Sequence, residues 1–329
     1  MDDASALTLP WEQLKNSSPS PQPRFNNSAV SVQSWYVAAR SRAVGVGQAK
    51  AFDLLNRRIV LYRDTAGSIH ALDGQCSHLG ANLGQGRVIG DQLECAFHHW
   101  RYGPDGMCCH APGLDSVPER RLRVYPTQEI WGLIWIFNGP QPLFEMPETP
   151  ANAGKRYSYW RLPPQYISCH PHLVIANGLD MPHLETLHDL IPSAPPRLLI
   201  DKPYRVTVEL QGKPRSRWLQ YLTGSRHHDL VASFTTIGSS LAWVSVTQPF
   251  HFYVLFSGRP SDRGGCYTQT IFFWPPGMVL PLLRGAAVMY TLLHHDRRIL
   301  DELIFTPGFT DKDIGLTAFA ALVNAMEVW

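Results

Sequence analysis

Apolar and polar positions along this chain follow the two-residue alternation of strands, or fall in short apolar blocks, until about residue 277. Arg58-Ile-Val-Leu-Tyr-Arg63 and Ser68-Ile-His-Ala-Leu72 predict paired strands around turn residues Asp64 to Gly67. Residues 122–125 and 130–137 return to the same period and complete a small β domain. Residues 205–210, 230–237, 241–254 and 266–274 predict longer strands, several rich in β-branched and aromatic side chains. Two helices are predicted after that, over 279–289 and 292–305, the second amphipathic through Leu293, Ile299, Leu300 and Leu303. Before residue 30 the chain is rich in Ser, Pro, Asn and Gln and predicts a flexible tail or an arm that orders against a neighbour. Asn138-Gly-Pro-Gln-Pro142 and the 147–154 stretch mark a linker. The division predicted is a tail over 1–30, a β domain over 31–145 and a second domain over 146–329.

Composition adds exclusions more than assignments. A chain of 329 residues holds two domains comfortably, and 44% apolar with 17% charged residues is ordinary for a globular protein. Its 29 basic and 27 acidic residues leave a net charge of +2, which gives nucleic-acid binding no electrostatic support. The start, Met1-Asp2-Asp3, lacks the basic and apolar regions of a signal peptide, and the most apolar stretch, 271–290, is interrupted by Pro275, Pro276, Pro281 and Arg284. No membrane span and a cytoplasmic protein are expected. The cysteines stand at 76, 95, 108, 109, 169 and 266, and a chain this long does not need disulfides.

The chemistry concentrates first in Cys76-Ser77-His78 and Cys95-Ala96-Phe97-His98, two loops sixteen residues apart. Each offers one thiolate and one imidazole. That is the ligand set of a Rieske [2Fe–2S] centre, in which two histidines replace two cysteines on one iron and raise the reduction potential. Tetrahedral zinc accepts the same donors. The residues that follow, Leu79, Gly80, Gly84 and Gly86 after the first loop and Trp100 and Tyr102 after the second, favour a buried cluster, whose sulfurs take backbone N–H bonds. His70 reads as a structural strand residue. His99 has the wrong spacing for a ligand, and Cys108-Cys109 comes too late for the pattern.

A second constellation is Asn177-Gly-Leu-Asp180-Met-Pro-His183-Leu-Glu-Thr-Leu-His188. Asn177, Asp180 and His183 fall three apart, so on a helix they share one face. His188 is five residues beyond His183, which an undisturbed helix would turn to another side. Pro182 lacks an N–H and disturbs the preceding turn, freeing the backbone to aim both imidazoles at one point. Two neutral imidazoles and one carboxylate from elsewhere would hold Fe(II) in a facial triad with the opposite face open.

Both stretches resemble the Rieske non-heme iron oxygenases: the run Cys76-Ser-His-Leu-Gly-Ala-Asn-Leu-Gly with Cys95-Ala-Phe-His-His-Trp-Arg-Tyr, and the pattern Asn-x2-Asp-x2-His-x4-His. Ala96 and His99 depart from the proline and glycine usual there. The resemblance implies an α+β protein: an N-terminal Rieske β domain, then a catalytic domain with an antiparallel sheet flanked by helices. It implies Cys76, His78, Cys95 and His98 as cluster ligands, and His183 and His188 as iron ligands. It also implies Asp180 as the carboxylate joining His183 to a Rieske histidine of a neighbouring subunit, with Asn177 beside the vacant side of the iron. Asp296, in His294-His295-Asp296-Arg-Arg-Ile, resembles the family's third ligand, with Asp301 and Glu302 in reserve. A homotrimer is implied. No dinucleotide fingerprint is present, so an external ferredoxin or NAD(P)H-dependent reductase would supply electrons, and Arg87, Arg101, Arg120 and Arg121 are a candidate docking patch. The Leu79-Gly-Ala-Asn-Leu-Gly84 run and the chain's shortness resemble the monooxygenase branch, which includes ketosteroid hydroxylases and sterol desaturases, and the activity implied is O2-dependent monooxygenation of a hydrophobic small molecule. Desaturation, demethylation, oxidative cyclisation and dioxygenation use the same metals, and a Rieske electron carrier is the alternative from another class.

Overall fold

The computed structural model describes residues 23–147, 157–200, 202–249, 251–275 and 279–329. The chain divides into two compact units, one built on residues 29–143 with 261–263 and 328–329, the other on 144–260 and 264–327 together with residues up to 28. The protein is α+β.

The smaller unit is made of short antiparallel strands in three sheets. Strands β1 (Trp35–Arg40), β10 (Leu133–Phe137) and β9 (Thr127–Ile130) form one; β2 (Ala49–Leu54), β3 (Arg57–Arg63) and β4 (Ile69–Asp73) the second; β5 (Arg87–Ile89), β6 (Gln92–Glu94), β7 (Arg101–Tyr102) and β8 (Cys108–His110) the third. The expected pairing around residues 64–67 is present, with Arg63 opposite Ile69 and Tyr62 opposite His70. The apolar runs explain the core, since all five residues of β10 are buried and Trp35 meets Phe137 edge-on at 5.4 Å. His70 has the structural role expected of it: its Nε2 lies 2.9 Å from the Asp64 carboxylate and its ring stacks on Tyr62.

The larger unit is a nine-stranded antiparallel sheet, ordered β11 (Ser158–Arg161), β19 (Cys266–Trp274), β18 (Phe252–Pro260), β17 (Leu241–Gln248), β16 (Leu230–Ile237), β15 (Arg205–Pro214), β13 (Leu190–Pro192). The short strands β12 (Gln165–Ile167) and β14 (Arg197–Leu199) pair with β19 and β15. In β15 burial alternates strictly, with Val206, Val208 and Leu210 inward. These side chains, with Ala232, Val244 and Val254, form one core with Ile175, Leu179, Leu184, Ala318, Phe319 and Val323 of the helical segments. Residue 178 must be glycine at this contact, because a Cβ there would stand 2.3 Å from Cδ1 of Phe234.

Three expectations about elements are corrected. Residues 241–254 form two strands, ending at Gln248 and resuming at Phe252; Pro249, which has no N–H to give the ladder, falls between them. The two late helices are one helix, Val279–Leu300, because nothing between 289 and 292 breaks it, and 301–305 lie beyond its end. Helix Ile314–Ala325 was not foreseen; it is apolar on nearly every side and gives little helical periodicity to read. Of the expected N-terminal tail, residues 1–22 lie outside the described residues. Phe25, by contrast, is buried among His172, Phe305, Phe309 and Phe319, and the Arg24 and Phe25 backbone N–H groups both donate to the Asn324 side chain at 2.8 Å. No helix among the described residues is long and apolar enough to cross a membrane.

Candidate metal centres

The first centre lies where two turns follow β4 and β6. In one, the Cys76 N–H donates to the Ala81 carbonyl and the Gly80 N–H to the Cys76 carbonyl; Gly80 is left-handed, at φ +76°. In the other, the Cys95 N–H donates to the Trp100 carbonyl and the His99 N–H to the Cys95 carbonyl, with His99 itself left-handed at φ 59°. A glycine would adopt that conformation without strain, and here the His99 ring is held by Glu94, Nδ1 to Oε1 3.0 Å.

The two turns bring the four predicted donors into one arrangement. Cys76 and Cys95 are buried free thiols, and the His78 and His98 rings lie 4.6 Å apart on the outer side. Trp100 lies flat against His78, with ring centroids 4.4 Å apart. The Tyr102 hydroxyl is 3.0 Å from Cys76 Sγ and 3.0 Å from Ser77 Oγ, and accepts from the Ser77 N–H at 3.2 Å. Burial, with the Cys76 thiol beside it, pushes the Tyr102 phenol far above its usual range, so it remains an O–H donor. Inner sulfurs, outer imidazoles and a hydroxyl directed at one sulfur suit a [2Fe–2S] cluster bound by Cys76, Cys95, His78 and His98.

Glu94, next to the ligand Cys95, stands between its partners on the adjacent strands. Its buried carboxylate meets Arg87 Nε at 2.6 Å and Arg101 Nε at 2.7 Å. Burial would raise its pKa, but Arg101, Arg87 and His99 outweigh burial and leave it at about 2. Two of the four arginines of the candidate docking patch are therefore committed to an internal carboxylate. Arg121 donates through Nε to the Asp105 carbonyl, and among the described residues no ion pair involves Arg120 or Arg121.

The second centre is set by a break in a helix. Helix Pro171–Ala176 runs into a tight turn at Asn177–Leu179. Asp180 then adopts extended backbone (φ −85°, ψ 93°) and caps a new helix, Met181–Thr186, accepting the His183 N–H at 3.0 Å. The single shared face expected for Asn177, Asp180 and His183 is thus corrected: Pro182, in the first turn of the second helix, marks a fresh start. The helix ends at Thr186, and Asp189 at φ 53° turns the chain into β13. His188 sits in that turn. The five-residue spacing therefore brings His183 Nε2 to 3.1 Å from His188 Nε2.

Asp296, on the long helix Val279–Leu300, completes the group. Its Oδ1 lies 2.7 Å from His188 Nε2 and 3.2 Å from His183 Nε2. Among the described residues Asp296 Oδ1 is nevertheless a buried oxygen without a properly directed hydrogen bond, and His188 Nδ1 is buried without a partner. Close approach without hydrogen-bond geometry is what donor atoms aimed at a shared cation produce, and two imidazoles with one carboxylate match Fe(II). Burial would raise the Asp296 carboxyl, but the two imidazoles outweigh it and hold the group below its usual value. The reserve acid Asp301 turns away to Arg297 Nε and the Ser168 N–H. The Asn177 side chain lines an adjoining cavity and makes no hydrogen bond among the described residues. That cavity is walled by the sheet, and its lining includes Phe234, Phe252 and Phe256 from the aromatic-rich strands.

Cluster loops in a small β unit, and a two-histidine, one-aspartate site on a helix-flanked antiparallel sheet, define a protein with two iron centres. Residues 34–126 match the family model described as the Rieske [2Fe-2S] domain. The chain is 32% identical over 160 residues to cholesterol 7-desaturase nvd of Xenopus laevis, a match covering 47% of this chain and 35% of that protein. It is 39% identical over 127 residues to aminopyrrolnitrin oxygenase PrnD of Pseudomonas fluorescens, covering 36% and 35%. The matches thus span about a third of these relatives. Among solved structures the fold is similar to apo dicamba monooxygenase, with a TM-score of 0.64 at 18% identity over 88% of this chain and 95% of that one. The chain carries a Rieske domain, and over that part of its length it is related in sequence to Rieske oxygenases.

Proposed function

We propose that this protein is the terminal component of a Rieske-type oxygenase, which uses O2 and electrons from an external ferredoxin or reductase to hydroxylate a small, largely apolar molecule. The observation that carries the reading is the convergence of His183, His188 and Asp296 in a chain that also holds the Rieske ligand set. An electron carrier has no use for the second site. Bound there, the iron would supply O2 activation, and the cluster a second electron to match the one the iron holds.

The chain's own residues do the rest. Asp180 fixes the start of the short helix and so the direction of His183. The long helix presents Asp296 to the two imidazoles. The three ligands occupy one side of the site and leave the other to the cavity, whose lining includes His188 and Asp296 and is dominated by aliphatic and aromatic side chains. Such a wall excludes bulk water and positions an apolar substrate beside the metal.

In a homotrimer, Asp180 would link His183 to His98 of an adjoining copy. The carboxylate already accepts one backbone N–H, and its capacity for several hydrogen bonds allows a second partner. The test is turnover under 18O2 with a surrogate ferredoxin and reductase over a panel of apolar substrates. Label from O2 in the product supports the reading; reduction of the cluster with no O2 consumed on any substrate contradicts it.

A further inference from the structure

The cavity that opens on His188 and Asp296 has a volume of about 160 Å3 and is partly open to solvent. An apolar cavity of about 150 Å3 is enough for benzene, whereas drug-sized ligands occupy roughly 300 to 1,000 Å3. The inward positions of four neighbouring strands build its wall, among them Ala232 and Phe234 on β16, Val244 on β17, Phe256 on β18 and Thr270 on β19. The Phe234 ring cannot withdraw on the helix side, because the Gly178 backbone is packed against it and leaves no room even for a Cβ.

The polar groups are few. Arg297 is the one guanidinium or ammonium group among the described lining residues, and its Nε is already engaged by Asp301 at 3.2 Å. The Thr268 hydroxyl donates to the Gln165 carbonyl. The Thr270 hydroxyl, on a residue 8% exposed and in register with Phe256, makes no hydrogen bond among the described residues. An anion entering this cavity would leave water and find only one cationic side chain among the described lining residues, Arg297, already paired with Asp301, which makes its entry costly. Asn177 also lines the cavity without a side-chain hydrogen bond among the described residues, and a neutral molecule whose one hydrogen-bonding group reaches Thr270 keeps its ring against Phe234.

We infer that the site takes a neutral substrate of about one ring bearing a single hydrogen-bonding substituent, with Thr270 as the polar anchor and Phe234 as the residue that sets the size limit. The inference rests on the oxygenase reading and narrows it: fused four-ring sterols and sulfonated or carboxylated aromatics are excluded.

The test is calorimetric titration of the full-length holoprotein, without O2, with 4-methylphenol, toluene, toluene-4-sulfonate, 2-naphthol and androst-4-ene-3,17-dione. Expected are saturable binding of 4-methylphenol, at least about tenfold weaker binding of the sulfonate, and none of the steroid. Thr270→Val should weaken 4-methylphenol roughly fivefold and leave toluene unchanged. Phe234→Ala, or the milder Phe234→Leu should the first not fold, should tighten 2-naphthol at least about fivefold. Equal or tighter binding of the sulfonate or the steroid to the wild-type protein overturns the inference, as does an equal effect of Thr270→Val on 4-methylphenol and toluene, or binding of no probe at all. Iron content measured on the same sample separates the two claims. A missing third iron defeats the oxygenase reading, whereas a full complement without 4-methylphenol binding defeats only the substrate assignment.

Discussion

Replacing Tyr102 by Phe removes one oxygen from a fully buried ring and leaves its packing in place. The lost hydroxyl lies 3.0 Å from Cys76 Sγ, 3.0 Å from Ser77 Oγ and 3.2 Å from the Ser77 nitrogen. A bound cluster gains negative charge on reduction, so a hydrogen bond donated to its ligand sulfur stabilises the reduced form more than the oxidised one. If that bond differs by about 1 kcal/mol between the two redox states, a one-electron couple shifts by about 40 mV, since tenfold in the equilibrium corresponds to 59 mV. The variant should therefore have a potential about 40 mV lower. Ser77→Ala, which removes only the second partner of the phenol, should shift it less and in the same direction. A spectroscopically monitored redox titration of the isolated protein reads both. An unchanged or raised potential in Tyr102→Phe, with the cluster spectrum intact, would refute the reasoning.

Two stability predictions follow from buried charge. Burial holds the His170 imidazole at about 4 and pushes His172 well below its usual value; each offers Nδ1 to a backbone N–H, His170 to that of His172 and His172 to that of Asn26. The folded state therefore resists protonation that the unfolded chain accepts near pH 6.5. Stability should fall as pH drops from about 6.5 toward 4, by up to about 3 kcal/mol for His170 alone at 1.36 kcal/mol per pKa unit. His170→Asn keeps a capping side chain, and urea titrations at neutral and mildly acid pH should show a loss smaller by about that amount; an identical acid loss contradicts the assignment. Glu94→Gln strands Arg87 and Arg101 and should cost about 1 to 2 kcal/mol, the exposure of Arg87 reducing the effect. Because the Glu94 pKa is depressed, its contribution is present above about pH 4.5 and lost as pH falls toward 2. A wild-type melting temperature in Glu94→Gln would remove Glu94 from the support of the Cys95 loop.

The cluster loops were legible because thiolate and imidazole donors close together in sequence have few other uses, and the structure adds the positions around them: Trp100 under His78 and Tyr102 against Cys76. His183 and His188 were legible as a pair, but the reason their rings meet was not. No helical face explains it; a helix start at Asp180 and a left-handed turn at Asp189 do. Asp296 lies more than a hundred residues further on, and only likeness to other sequences singled it out from Asp301, which differs by little more than one helical turn. The clamp on Glu94 depends on strand register, which fixes Arg87 and Arg101 on either side of it and which hydrophobic pattern alone does not reveal. The cavity was less legible still: Phe234 and Thr270 read as strand residues whether they face core or empty space.

The central claim is that His183, His188 and Asp296 hold an iron separate from the cluster. Iron and acid-labile sulfide, assayed together on the purified wild-type protein and on His188→Ala and Asp296→Ala, test it most directly. The account predicts three irons and two sulfides per chain in the wild type, falling to two and two in either variant with the cluster spectrum unchanged. Two irons in the wild type, or three retained in both variants, would contradict it.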